Sequence, residues 1–204
     1  METESALKLR QPTRAAIDRC LKFQGGRSRP DKSFPFVLQY LYWLKDNRSA
    51  RTILDIGCGR GSAGIILEAE FGDYWTIDGI EVEPRYLESF PTQQYRQVHV
   101  GNYLSRFREL RDYDVWLFVD VLEHFEREFA INVCRYLRSL IDIRGRGSIV
   151  ASIPNAEKHW HQSEAFEKAN PFEAHRYDWT DEEIAKDLGL RKIGDCDGLG
   201  VYVF

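Results

Sequence analysis

The chain lacks any long apolar run: its longest stretches, residues 115–119 and 148–153, are strand-sized and far short of the roughly 20 residues a membrane helix needs. A spanning helix and a membrane partner are therefore not expected. The opening Met1-Glu2-Thr3-Glu4-Ser5 lacks the basic start and apolar centre of a secretory signal, so the expected location is cytoplasmic. Cysteine is scarce: Cys20, Cys58, Cys134 and Cys196 are scattered and form no CxxC pair. That argues against a zinc knuckle and a disulfide framework and leaves reduced, packed thiols. No internal repeat or low-complexity tract occurs, which sets aside solenoids and disordered arrays.

What is present suits one enzyme-sized unit, since 204 residues with 43% apolar content can close a core around a central sheet. The net charge of −4 conceals an asymmetry. Through Ile53 there are 11 Lys and Arg against 5 Asp and Glu; beyond it, 17 against 27. The basic excess concentrates between Lys22 and Lys32, a cationic stretch that is either a solvated loop or an approach surface for an anionic acceptor. Residues 1–50 read as a helical extension, with helices over 5–22 and 34–45, and residues 51–204 as the main domain.

From Arg51 onward short apolar runs alternate with helical patterns, the signature of parallel strands joined by crossover helices. The spacing predicts strands at 52–56, 75–81, 97–100, 115–119 and 148–153, with helices over 61–71, 84–90 and 125–143. Thr180-Asp181-Glu182-Glu183 reads as a capping box opening a helix that stops at Gly189. Two last runs, 191–196 and 201–204, flank a glycine-rich turn and are expected to pair as an antiparallel hairpin. The fold class is α/β: a Rossmann-like, doubly wound, mostly parallel sheet with a C-terminal antiparallel strand.

The first strand runs into Asp55-Ile56-Gly57-Cys58-Gly59-Arg60-Gly61 and then a helix, placing backbone amides at a helix N-terminus. Glycines there tolerate unusual dihedrals and let a ligand lie against the main chain. One crossover later Glu81 ends the second strand, where a carboxylate can accept both hydroxyls of a ribose. A nicotinamide dehydrogenase also uses these two features, but its Gly-x-Gly-x-x-Gly fingerprint requires glycine where Ser62 stands. The order of strand, Gly-x-Gly-x-Gly, helix, strand and acid over residues 51–204 resembles the class I S-adenosylmethionine-dependent methyltransferases. The segment from Asp114 through Leu122-Glu123-His124-Phe125, and Ser152-Ile153-Pro154-Asn155, are similar to that family too. The resemblance implies that Asp55, Gly57 and Gly59 line the methionine part of S-adenosylmethionine, Glu81 the ribose and Asn102 the adenine edge. It adds Cys58, Val82, Tyr103 and Asp120 as further cofactor contacts.

Methyl transfer from a sulfonium needs a nucleophile aligned behind the methyl group, and in some cases a base. His124, Asp120 and His161 are the candidate catalytic residues, with a packed or capping role the bland alternative for His124. Asp120, Glu123, His124 and His175 also offer carboxylates and imidazoles to a hard divalent ion such as Mg2+. Pro154-Asn155-Ala156-Glu157 with the segment from His175 to Thr180 resembles the corresponding region of metal-dependent small-RNA 2′-O-methyltransferases. Residues 157–179 form a long irregular insertion in which Trp160, Phe166, Phe172, Tyr177 and Trp179 either wall an acceptor or anchor the segment. Phe34, Phe36, Tyr40 and Tyr42 are expected to close the other side. The favoured reading is methylation of an oxygen or nitrogen of a small molecule. Methylation of a nucleic acid, with the basic segment meeting phosphate, is the alternative. A non-catalytic cofactor-binding partner protein is the third.

Overall fold

A computed structural model describes Arg14, Ala15, Asp18 and residues 30–89, 93–101, 112–156, 170–196 and 198–204. Within the expected helix 5–22, Arg14, Ala15 and Asp18 are helical; its other positions and most of the cationic stretch lie outside the described residues. The elements are helix α1 (Pro30–Arg48), strand β1 (Thr52–Ile56), α2 (Ser62–Phe71), β2 (Thr76–Glu81), β3 (Gln97–Val100), β4 (Val115–Val119), α3 (Arg127–Arg144) and β5 (Ser148–Pro154). A last helical segment, α4 (Asp181–Glu183), continues as a π-helical turn over Ile184–Leu188 and is followed by β6 (Arg191–Cys196) and β7 (Leu199–Val203). Among the described residues no helix is long and apolar enough to cross a membrane.

The seven strands lie in the order β3-β2-β1-β4-β5-β7-β6, all parallel except β7, which runs antiparallel to both β5 and β6. Side chains alternate across the sheet, so each strand feeds two cores. Ile53, Val115, Leu117, Val150, Val201 and Val203 point to one face, where α1 and α2 cover them. Leu54, Ile56, Trp116, Phe118, Ile149 and Ile153 point to the other, under α3 and the α4 turn. Both faces are covered, which is why the central strands are almost continuously apolar. On α1, Phe34, Val37, Leu38, Leu41 and Leu44 are buried at helical spacing and form one stripe against the sheet.

The chain builds outward from β1 in one direction through β2 and β3, then returns to lay β4 on the other side. The loops after β1 and β4 therefore part and leave a crevice at the carboxyl ends of those strands. The expected helix over 84–90 is instead a 3-10 turn, Pro84–Ser89, because the Tyr86 amide donates to the Glu83 carbonyl while the Glu83 carboxylate takes the Arg85 amide. The expected capping box is present in full: Thr180 Oγ accepts from the Glu183 amide and Glu183 returns to the Thr180 amide. Gly189 ends this helical segment in the left-handed conformation.

Candidate functional site

The turn after β1 takes its shape from three glycines in left-handed conformations, Gly57, Gly59 and Gly61, with φ of 69°, 54° and 81°. The expectation that its amides stay exposed for a ligand does not hold for four of them. Gly57 and Cys58 both donate to the Ile80 carbonyl of β2, and Gly61 donates to the Cys58 carbonyl. Gly59 donates to Glu81 Oε2 at 2.8 Å, while Glu81 Oε1 accepts from the Glu83 amide at 2.7 Å. Glu81 thus ties the glycine turn to the end of β2, and Val82 follows it at the crevice edge. Burial pushes its carboxyl above the ordinary range, against the pull of the Glu83, Gly59 and Val82 amides.

Beneath the turn Asp55 is 2% exposed. Tyr95 donates to Asp55 Oδ2 at 2.6 Å and accepts from the Gly64 amide at 3.0 Å, linking β1 to the first turns of α2. Burial raises the Asp55 carboxyl to about 7; the Tyr95 bond opposes this and the nearby Glu81 charge adds to it. Cys58 packs its thiol against β2, where a Cβ added at Gly79 lies 2.8 Å from Sγ. Burial, with Asp55 and Glu81 nearby, pushes that thiol well up, so it stays a neutral packing group. Asn102 and Tyr103 lie outside the described residues, as do His159, Trp160, His161 and Phe166.

Across the crevice, Asp120 ends β4 at φ 55°, a strained conformation for a residue with a side chain. Ser152 holds it there: the Asp120 amide donates to the Ser152 carbonyl and hydroxyl, and the Ser152 hydroxyl donates to Asp120 Oδ1 at 2.5 Å. The 3-10 turn Leu122–His124 follows. Its Glu123 is 2% exposed, and Oε2 has no hydrogen-bond partner among the described residues. Burial, followed by the charges of Asp120 and Glu173, pushes the Glu123 carboxyl well up. The Glu123 carbonyl accepts from the amides of Arg176 and Tyr177, which lays the His175 segment beside it.

Of the four residues expected to hold a metal, the structure gathers three. Glu123, His124 and His175 each offer a ligand atom within 4.8 Å of the others. Asp120 lies beside this group with its carboxylate turned to Ser152. The His124 and His175 rings meet edge to face at 5.0 Å. His124 Nδ1 lies 3.2 Å from the Ala174 carbonyl, which can only accept, so that nitrogen carries a proton, and Nε2 lies 3.9 Å from Glu123 Oε1. An imidazole fixed by a backbone carbonyl, a second imidazole, and a buried carboxylate oxygen lacking a partner fit a divalent cation.

The aromatic insertion divides by function. Trp179 is fully buried and donates to the Leu122 carbonyl, so it anchors the segment to the core and walls no acceptor. Phe172, by contrast, is 52% exposed. Tyr40 and Tyr42 do not close the crevice: Tyr40 shares a hydrogen bond with Ser148 at the start of β5, and Tyr42 donates to the Glu70 carbonyl late in α2, both away from the carboxyl ends of the strands. Phe34 is buried in the core and Phe36 lies against Gly194 of β6. Sequence reasoning missed Tyr95 and Ser152, whose roles come from packing, and a group around Tyr86 taken up below.

The model of a methyltransferase domain family matches residues 26–189, so the chain belongs to that family. Its fold is that of the class I S-adenosylmethionine-dependent methyltransferases. Three solved structures illustrate the likeness. The methyltransferase domain of a bacterial Hen1 is 20% identical, with 82% of this chain and 96% of that chain covered and a TM-score of 0.51. The small RNA methyltransferase HEN1 is 19% identical, with 87% and 25% covered and a TM-score of 0.56. The plantazolicin methyltransferase BamL, solved with a substrate analogue and SAH, is 15% identical, with 84% and 64% covered and a TM-score of 0.58. No curated protein matches the chain significantly.

Proposed function

We propose that this chain is an S-adenosylmethionine-dependent methyltransferase that transfers the methyl group to an oxygen or nitrogen of a small acceptor molecule. The observation that carries the cofactor assignment is Glu81, buried at the end of β2 with one carboxylate oxygen on the Gly59 amide of the glycine turn and the other on the Glu83 amide. Each oxygen keeps a further lone pair, so the carboxylate can receive the two ribose hydroxyls without leaving its amide partners. When bound, the sulfonium supplies the methyl group. The charges of Asp120 and Glu173 act on Glu123, and that of Glu173 acts on Glu81, so this side of the crevice carries negative charge that favours a cationic donor. His124 Nε2 would receive the acceptor's proton as the methyl group passes from the sulfonium to the acceptor, and its Nδ1–H on Ala174 would hold the ring in that tautomer. Titration with S-adenosylhomocysteine tests the assignment. Binding in the micromolar range that falls at least 100-fold in Glu81→Ala supports it, and no binding to the intact protein at millimolar ligand overturns it.

A second reading is favoured by the same cluster together with the likeness to the Hen1 structures: methylation of an RNA ribose 2′-hydroxyl with a divalent cation at Glu123, His124 and His175. Such a cation supplies charge neutralisation at the reacting hydroxyl. In that case Glu123→Ala and His175→Ala each abolish Mn2+ binding measured by calorimetry, and acceptor affinity falls steeply between low and moderate salt. Absence of Mn2+ binding to the intact protein removes this reading and leaves the first standing.

A further inference from the structure

One residue touches both sides of the crevice. Tyr86 lies in the 3-10 turn after β2, and its ring sits 4.9 Å from the Arg60 guanidinium, inside the glycine turn. Its hydroxyl donates to Glu173 Oε1 at 2.5 Å and accepts from Asn170 Nδ2 at 2.7 Å. Asn170 in turn accepts from the Phe172 amide with its side-chain oxygen and caps the turn Pro171–Glu173. Glu173 is two residues before His175, and the Ala174 carbonyl between them fixes His124. The contact closes a gap of 87 residues in sequence. The turn Pro84–Ser89 itself is held by the Tyr86 amide on the Glu83 carbonyl and the Arg85 amide on the Glu83 carboxylate, and neither bond uses the tyrosine hydroxyl.

We propose that Tyr86 is a positioning residue that couples the cofactor turn to the segment bearing His175, through Arg60 on one side and Glu173 and Asn170 on the other. The inference rests on the cofactor reading above. A ligand settling on the glycine turn fixes Arg60 and the Glu81–Glu83 corner, and with them the ring of Tyr86. A fixed hydroxyl then restrains Asn170 to His175, so that donor occupancy orders the acceptor side before chemistry. Coupling of this kind is reciprocal: whatever orders the His175 segment also tightens the cofactor. The expected size is that of ordinary site-to-site coupling, about 5-fold or more in affinity.

Hydrogen exchange with and without saturating S-adenosylhomocysteine tests it. In the unaltered protein the ligand slows exchange of the amides in the glycine turn and also of Phe172, Glu173, Arg176 and Tyr177. In Tyr86→Phe, which keeps the ring over Arg60, the glycine turn is still protected while the protection of residues 172–177 is lost. Glu173→Gln, which keeps an oxygen able to accept from the tyrosine, retains part of it. Protection of the turn without residues 172–177 in the unaltered protein overturns the coupling, as does full protection of both in Tyr86→Phe. Failure of the ligand to bind at all instead refutes the cofactor reading. A Tyr86 that merely stabilised the fold would speed exchange equally with and without ligand, so the ligand-dependent difference decides.

Discussion

Asp55 sits where a carboxylate is costly, sealed under the glycine turn with one strong donor, the Tyr95 hydroxyl, and with Glu81 nearby. Its proton is therefore held more tightly in the folded protein than in the unfolded chain, with a folded value of about 7 against the ordinary 3.8. A group raised in this way contributes its stability in full below pH 3.8 and loses it as pH rises through about 7. Asn in its place accepts the Tyr95 bond without ionising. The stability of cofactor-free Asp55→Asn, relative to the unaltered protein, is thus expected to rise between about pH 4 and 7 and then level off, by on the order of a few kcal/mol. Urea denaturation across that range measures it, and a constant difference would show that Asp55 does not titrate there. Gly79 makes the neighbouring point sterically. Alanine there meets Cys58 Sγ and the Tyr95 ring, so Gly79→Ala is expected to push the cofactor turn off β2 and lower stability by about 1–3 kcal/mol.

At the scale of elements, α4 links the His175 segment to the terminal hairpin, and its start depends on Thr180. Both halves of the capping box are made, and Glu183 also accepts from Tyr177. Thr180→Ala removes the acceptor for the Glu183 amide and is expected to cost about 1 kcal/mol, read as a lower urea midpoint with an unchanged slope. Serine at the same position should restore most of it. That box, the strands β1, β3 and β4 and the glycine stop at 189 were legible in the sequence because each depends on local pattern: alternation, capping spacing, or a residue that alone tolerates the dihedral. The positions of Asp55, Glu81, Glu123 and His124 at or just beyond strand ends were legible too, while the nearness of His175 to Glu123 and His124 comes from the fold. The links between them were not. Ser152 holding Asp120, Tyr95 under Asp55 and Tyr86 reaching Glu173 join residues 32, 40 and 87 positions apart, and only the strand order brings them together. The same cause decides between the two roles open to Trp179, since packing puts it in the core as an anchor.

Across the whole molecule, the sheet is the shared wall of two cores, and α1 closes one of them with residues from ahead of β1. Leu38 and Leu41 are fully buried in the same cluster as Ile53, Val115, Val201 and Val203, so the helix is a layer of the fold along its length. The final strand lies between β5 and β6, which sets Val201 and Val203 on the side of that helix. Loosening α1 therefore cannot leave the sheet intact, because its departure exposes apolar side chains on the strands it covers. Leu41→Ala is expected to destabilise the protein by about 2–5 kcal/mol, the range for a leucine removed from a closed core. The loss should fall on the whole structure. Far-ultraviolet circular dichroism, which reports helix and sheet together, and tryptophan fluorescence, to which Trp75, Trp116 and Trp179 inside the two cores contribute, should give coincident melting curves before and after the substitution. If helix signal were instead lost in Leu41→Ala at a temperature where the tryptophan signal stayed native, α1 would be a detachable cap and the two cores would not share their stability.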